Sequence, residues 1–318
     1  MQADLRLGYL VFEVRRPARW ADFCEQMLGL PAPVRNEDGS LGWQLDEACQ
    51  RLMVQEGPAD DLAAIGLECT DEAVLQRRLQ RLRQAGVAVL AADAAQRRAR
   101  RVKSLHHCSD PAGNRVELFT DPEPAAQAFS SAHFPAGFQT GAQGLGHAVL
   151  VAHDVAAMEA FYTGLLGFGV TERLTTRVGP INFHGVFLHC NERHHSLALF
   201  DLPLRRRLHH FMLQASRLSD IGRAFERARR HKVPLSLGLG QHPDPDGTFS
   251  FYGATPSGFD FEIGAGSQTI APAGWQVQKT DVTSTWGHAP KLRLQLQMAA
   301  GLLASKLWPR QRASRNPE

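Results

Sequence analysis

Two histidines and a glutamate in the second half of the sequence, His147, His210 and Glu262, offer nitrogen and carboxylate oxygen donors of the kind that hold a divalent transition metal. On one face of an octahedral ion such a set leaves three positions open. That is room for a chelating diol and O2 together, the chemistry of non-haem Fe(II) oxygenases. Each residue alone is weak evidence, because a single strand histidine is more often a satisfied core or surface residue. Their weight comes from the elements that must bring them together.

Those elements come in two copies. Leu7-Gly8-Tyr9 recurs as Leu145-Gly146-His147, and each copy is followed by a helical pattern, near 18–28 and 156–166, that ends in Gly where a left-handed cap is cheap. Each half then turns to short strands, and a second helix follows near Glu72–Gln84 and Leu218–Arg230. Both halves close alike: Asp110-Pro111-Ala112-Gly113 leading to Glu117 aligns without a gap to Thr255-Pro256-Ser257-Gly258 leading to Glu262. Proline followed by glycine suits a tight turn feeding a strand.

The pattern predicts an α+β protein of two tandem modules, each a pair of βαβββ units whose curved mixed sheet surrounds a pocket. The divisions are 1–125, a linker at 126–143, a second module at 144–267 and an extension at 268–318. Comparing the copies locates the chemistry. The first keeps Glu117 opposite Glu262, but Tyr9 stands opposite His147 and Ala64 opposite His210. A metal therefore belongs to the second module, with the first as a structural half.

Composition narrows the partners. The net charge is +3, yet from Lys291 onward six basic residues face Glu318 alone, so this tail carries +5 and the remainder −2. A near-neutral body with a short basic tail is not the footprint of a nucleic-acid binder. The five cysteines are scattered, odd in number and without paired zinc spacing. No run of about 18 apolar residues and no signal-peptide pattern occurs, so the expectation is a cytoplasmic protein with no membrane partner.

Four ordered segments carry a resemblance: Gly141–His147, Phe187 through Asn191 to His195 and Ser196, His209-His210-Phe211, and Phe251-Tyr252 leading to Glu262. Together they resemble the two-domain type I extradiol dioxygenases of the vicinal oxygen chelate superfamily, especially those acting on dihydroxybiphenyl and dihydroxynaphthalene, up to about Gly266. The resemblance implies cleavage of a substituted catechol by O2. It implies Fe(II), with Mn(II) the alternative, on His147, His210 and Glu262, and His195 as the acid–base residue. Tyr252 falls where a tyrosine donates to a substrate oxygen, and His242 on a further pocket histidine. A homo-oligomer is implied too.

One loop departs from the family. His242-Pro243-Asp244-Pro245-Asp246-Gly247 is one residue longer, with Asp244 where an asparagine is expected. Asp244, with His184 on the strand bearing Phe187, suits a more polar ring, and Phe187 is a candidate wall over the substrate. Strand alternation puts the members of His194-His195 and of His209-His210 on opposite faces, and the resemblance takes the second of each inward, leaving His194 and His209 to the outer face or a subunit contact. His106, His107, His231 and His288 are read as ordinary surface or core residues. The stretch Leu292–Trp308 reads as an amphipathic helix that caps the protein or an oligomer contact. Two other classes compete: a glyoxalase-type isomerase, which would draw ligands from both modules, and a non-catalytic aromatic-ligand-binding protein, which would have lost the ligands or His195.

Overall fold

The structure is a computed structural model describing residues 4–178 and 181–295. The first half runs β1 (Leu5–Val14), α1 (Pro17–Gln26), β2 (Val34–Arg35), β3 (Leu41–Trp43) and β4 (Leu52–Glu56). It continues with β5 (Asp61–Cys69), α2 (Glu72–Gln84), β6 (Leu90–Ala91), α3 (Ala94–Arg100), β7 (Val102–Ser109) and β8 (Arg115–Pro122). The second half repeats it with β9 (His147–Val151), α4 (Val155–Ala160), β10 (Gly169–Val178), β11 (Ile181–His189) and β12 (Leu197–Phe200). Then come β13 (Leu208–Gln214), α5 (Leu218–Arg230), β14 (Leu235–Gln241), β15 (Phe249–Ala254) and β16 (Asp260–Ala265), followed by short β17 (Gln278–Thr280) and β18 (Trp286–Gly287).

The expected α+β architecture is present as two mixed sheets. Their strand orders are β2-β3-β4-β1-β5-β8-β7-β6 and β10-β11-β12-β9-β13-β16-β15-β14, the same path twice, with β17 and β18 added at the flanks of the second. The central pair is antiparallel in both, β1 with β5 and β9 with β13, while β5–β8 and β13–β16 run parallel. Helices α2 and α5 begin and end at the expected residues; Asp71 caps α2 by accepting from the Val74 amide at 2.7 Å. The helix expected near 156–166 is α-helical to Ala160 and passes into a π-helical turn over Phe161–Leu165. The two closing turns match: Gly113 and Gly258 have φ of +78° and +86°, and their amides donate to Asp110 and Thr255.

The halves share one apolar core. Phe12 of β1 lies 5.4 Å from Phe211 and 5.0 Å from Phe259, and Phe23 of α1 lies 5.2 Å from Phe261. The Trp20 indole donates to Ser257 at 2.9 Å, and Leu145 pairs its amide with the Leu7 carbonyl. Among the described residues no helix is long and apolar enough to cross a membrane. Residues 292–295 form a helical turn, and the rest of the helix expected to Trp308 lies outside the described residues.

Candidate metal centre and cavity

Three neighbouring strands, β9, β13 and β16, carry His147, His210 and Glu262. Met212 pairs with both His147 and Glu262 across the sheet, so these two residues sit at one level and His210 one step along. His147 Nε2 lies 3.2 Å from His210 Nε2 and 3.2 Å from Glu262 Oε2, and His210 Nε2 lies 3.4 Å from the same oxygen. All three residues are buried, and one ligand atom from each falls within 4.8 Å of the others.

Glu262 has no solvent exposure, yet neither carboxylate oxygen makes a well-formed hydrogen bond. Burial pushes its carboxyl upward, but the facing imidazoles of His147, His210 and His242 hold it well below the usual range, so it stays ionised. Burial draws His147 down, which keeps it neutral and able to donate its lone pair. A buried carboxylate lacking hydrogen-bond partners beside two convergent imidazoles is the donor set for one divalent cation, and the residues fit it.

Around this centre stand the other expected residues. The His195 ring lies 4.0 Å from the His147 ring and 4.9 Å from Phe187, which lines the cavity as anticipated. Burial and then the neighbouring histidines push His195 well below 6.5. Tyr252 on β15 sets its ring edge-on to His210 at 5.1 Å and shares a 2.8 Å hydrogen bond with His242 Nε2. His242 Nδ1 donates to the Thr283 carbonyl at 2.7 Å. Burial pulls His242 down, but Glu262 at 3.4 Å and Asp246 outweigh it and raise it to about 9.

Two expected substrate contacts are not in the cavity. Asp244 is exposed and accepts from Gln268 at 2.6 Å, while Asp246, two residues on, is buried and lines the cavity. His184 is exposed on the face of β11 opposite Phe183 and Phe187, at the uncovered end of a face whose Val186 and Leu188 are buried in the core.

Three histidines read as bystanders belong to the site. His194 and His195 lie in the bend after β11, not on a strand, so alternation does not separate them; both are buried, with Nδ1 atoms 3.0 Å apart. His194 also faces Glu172 at 3.6 Å, a carboxyl that burial and Asp246 raise to about 7. A bulge in β13 between Leu208 and His210 turns both His209 and His210 toward the cavity. His288 stands 4.6 Å from the His242 ring and bonds to Ser250 and Ser284, beyond the span any motif covered.

The cavity holds about 620 Å3, with phenylalanines 183, 187 and 200 and several leucines as walls. In the first half the equivalent space is closed. Tyr9 donates to Glu117 at 2.6 Å, Arg100 and Arg115 donate to the same carboxylate, and Tyr9, Met53, Leu105 and Phe119 pack over it. There two guanidinium groups supply the positive charge that a metal would bring. The bulge between Val11↔Ala64 and Phe12↔Leu62 matches the one in β13, which places Ala64 at the position of His210.

Comparison with known proteins adds to this geometry. Residues 144–263 match the family model "Glyoxalase/Bleomycin resistance protein/Dioxygenase superfamily", and residues 7–57 match "Dihydroxybiphenyl dioxygenase BphC D1". The chain is 40% identical over 287 residues to biphenyl-2,3-diol 1,2-dioxygenase of Paraburkholderia xenovorans (strain LB400), covering 89% of this chain and 94% of that protein. It is 34% identical to an iron-dependent extradiol dioxygenase of Rhodococcus jostii (strain RHA1), covering 89% and 96%. Among solved structures, BphC, a halotolerant catechol dioxygenase, superposes with a TM-score of 0.83 at 33% identity over 92% of this chain and 96% of that one.

Proposed function

We propose the role of each side chain from one premise: the chain belongs to the extradiol ring-cleaving dioxygenases of the glyoxalase/bleomycin resistance/dioxygenase superfamily. It is an iron-dependent extradiol dioxygenase that opens a catechol with O2. His147, His210 and Glu262 are its metal ligands. What carries this assignment is the buried Glu262 carboxylate, free of hydrogen bonds and faced by two imidazole nitrogens at 3.2–3.4 Å.

Bound by these three residues, Fe(II) supplies open positions at which a diol and O2 meet. The remaining work belongs to the chain itself. Tyr252 and His242, already joined by a hydrogen bond, orient one substrate oxygen as donors, and His242, raised to about 9 and so protonated, steadies the charge of an ionised hydroxyl. His195, buried and neutral at neutral pH beside the His147 ring, accepts and returns a substrate proton. Phe187, Phe183 and Phe200 exclude water from the ring as it opens.

The first module, 1–125, serves as a metal-free half, since Arg100 and Arg115 hold Glu117 where a metal would sit. The same reading takes the enzyme as a cytoplasmic homo-oligomer, as the family resemblance implies; light scattering of the purified chain tests the assembly. The central experiment is anaerobic reconstitution with Fe(II) followed by air and a panel of substituted catechols. Yellow product with one O2 consumed per ring is expected. An iron-loaded protein inert toward the whole panel overturns the reading.

A further inference from the structure

One wall of the cavity carries a guanidinium that no described residue answers in full. Arg206, in the loop joining β12 to β13, lines the cavity. Its Nη1 is shielded from solvent and has no hydrogen-bond partner, and among the described residues no carboxylate pairs with it. The nearby carboxylate is already engaged: Asp260 accepts from Arg293 at 2.6 Å, and Arg293 also donates to the Gly258 carbonyl. Gly258 makes the position of Arg206 available, because a Cβ there would stand 2.8 Å from Nη2. Arg205, exposed, adds a second cation to the same wall, with no ion pair among the described residues.

An arginine that served only solubility would carry its guanidinium in water. A shielded, unpartnered N–H against leucine and proline walls is a standing cost, and a ligand that accepts hydrogen bonds removes it. The guanidinium fork matches a carboxylate in two parallel bonds, and the apolar surroundings strengthen the attraction. The other two carboxylates that line the cavity, Glu172 and Asp246, lie beside the histidines His194 and His195 and leave this wall positive.

We propose that Arg206 is a specificity-determining residue, and that the substrate is a catechol whose substituent beside the diol ends in a carboxylate. This rests on the ring-cleavage reading of the site and names the substrate class within it.

The test compares two catechols on the iron-loaded enzyme, one carrying a propanoate chain and one carrying its neutral isostere, an isopentyl chain. The wild type is expected to favour the propanoate in kcat/KM by about 10- to 100-fold, the range of a charge-assisted hydrogen-bonded pair. Arg206→Met should collapse that ratio toward one or below it, and Arg206→Lys, which keeps the charge without the fork, should restore part of it. Equal turnover of both substrates by the wild type, or a uniform loss on both in Arg206→Met, overturns the proposal while leaving ring cleavage standing. If neither catechol is opened while other catechols of the panel are, this proposal falls and ring cleavage stands; inertness toward the whole panel overturns both.

Discussion

A glutamate with both oxygens buried and lacking hydrogen bonds is held at a cost that a bound cation removes, so the ligand set is open to a direct test. Glu262→Gln, His147→Ala and His210→Ala should each lower retained iron to below about a tenth of an equivalent, read by metal analysis after desalting. His195→Gln should keep its iron and lose roughly 10²- to 10⁴-fold in kcat, the usual share of acid–base assistance. Full iron in the ligand variants, or full turnover in His195→Gln, would dismiss these roles. The first half supplies a contrasting carboxylate. Burial pushes Glu117 up, but Arg100, Tyr9 and Arg115 more than offset it, so its folded pKa lies below the unfolded value of about 4.3. A group depressed in this way contributes stability above the unfolded pKa and loses it as pH falls through the folded one. Arg100→Leu should therefore cost on the order of 3 kcal/mol at pH 7. The deficit should shrink as pH falls and Glu117 is protonated in both proteins, which flattens the acid limb of the variant, as denaturant titrations at several pH values would show; an equal deficit at every pH would mean that Glu117 is not the group responsible.

At the scale of elements, the sequence was most legible where a repeat or a period spoke. Helices α2 and α5 and the two closing turns fall where periodicity and the Pro–Gly spacing put them, and the duplicated strand path follows from the duplicated sequence. It was least legible where a strand breaks its own alternation. Nothing in His209-His210 announces the bulge that turns both side chains to the cavity, although the matching irregularity beside Ala64 shows that it belongs to the fold rather than to the histidines. The bend holding His194 and His195 and the longer loop placing Asp246 inside are likewise products of tertiary packing. His288 lies in an added strand-forming segment that no repeat covers. Gly146 shows how tightly the element fixes a ligand: its φ of +145° is closed to side chains, and a Cβ would collide with the Met212 carbonyl oxygen on β13. Gly146→Ala should thus cost about 2 kcal/mol or more and weaken iron retention through the adjacent His147. Gly164→Ala, where nothing lies within 4 Å, should stay within about 0.5 kcal/mol. Thermal unfolding of the two variants reads the contrast, and equal melting temperatures would refute the claim that Gly146 sets the strand's approach.

For the molecule as a whole, the two sheets are joined by buried aromatic rings rather than by a flexible tether, and that decides how the enzyme comes apart. Phe12 of the first half is fully buried among Trp20, Phe211 and Phe259, and Trp20 bonds across to Ser257, so either half unfolding alone would strip the other's core. The sequence marked these residues only as apolar; that they face each other across the duplication follows from which side of each sheet the chain leaves uncovered. The first half then has a purpose that needs no chemistry: it packs its aromatic rings against the second half's sheet through Phe211 and Phe259. Phe12→Ala removes a ring from this junction and should cost about 3–5 kcal/mol. In a denaturant titration of the iron-loaded protein with Trp275, Trp286 and Trp308 replaced by Phe, tryptophan fluorescence reports on the buried Trp20 and Trp43 of the first half, and iron release reports on the second. With one shared core the two signals should move through a single midpoint, and Phe12→Ala should shift both by the same amount. Separate midpoints without Phe12→Ala, or a shift confined to the fluorescence signal, would mean that the halves are stable independently and that the first does not support the metal centre of the second.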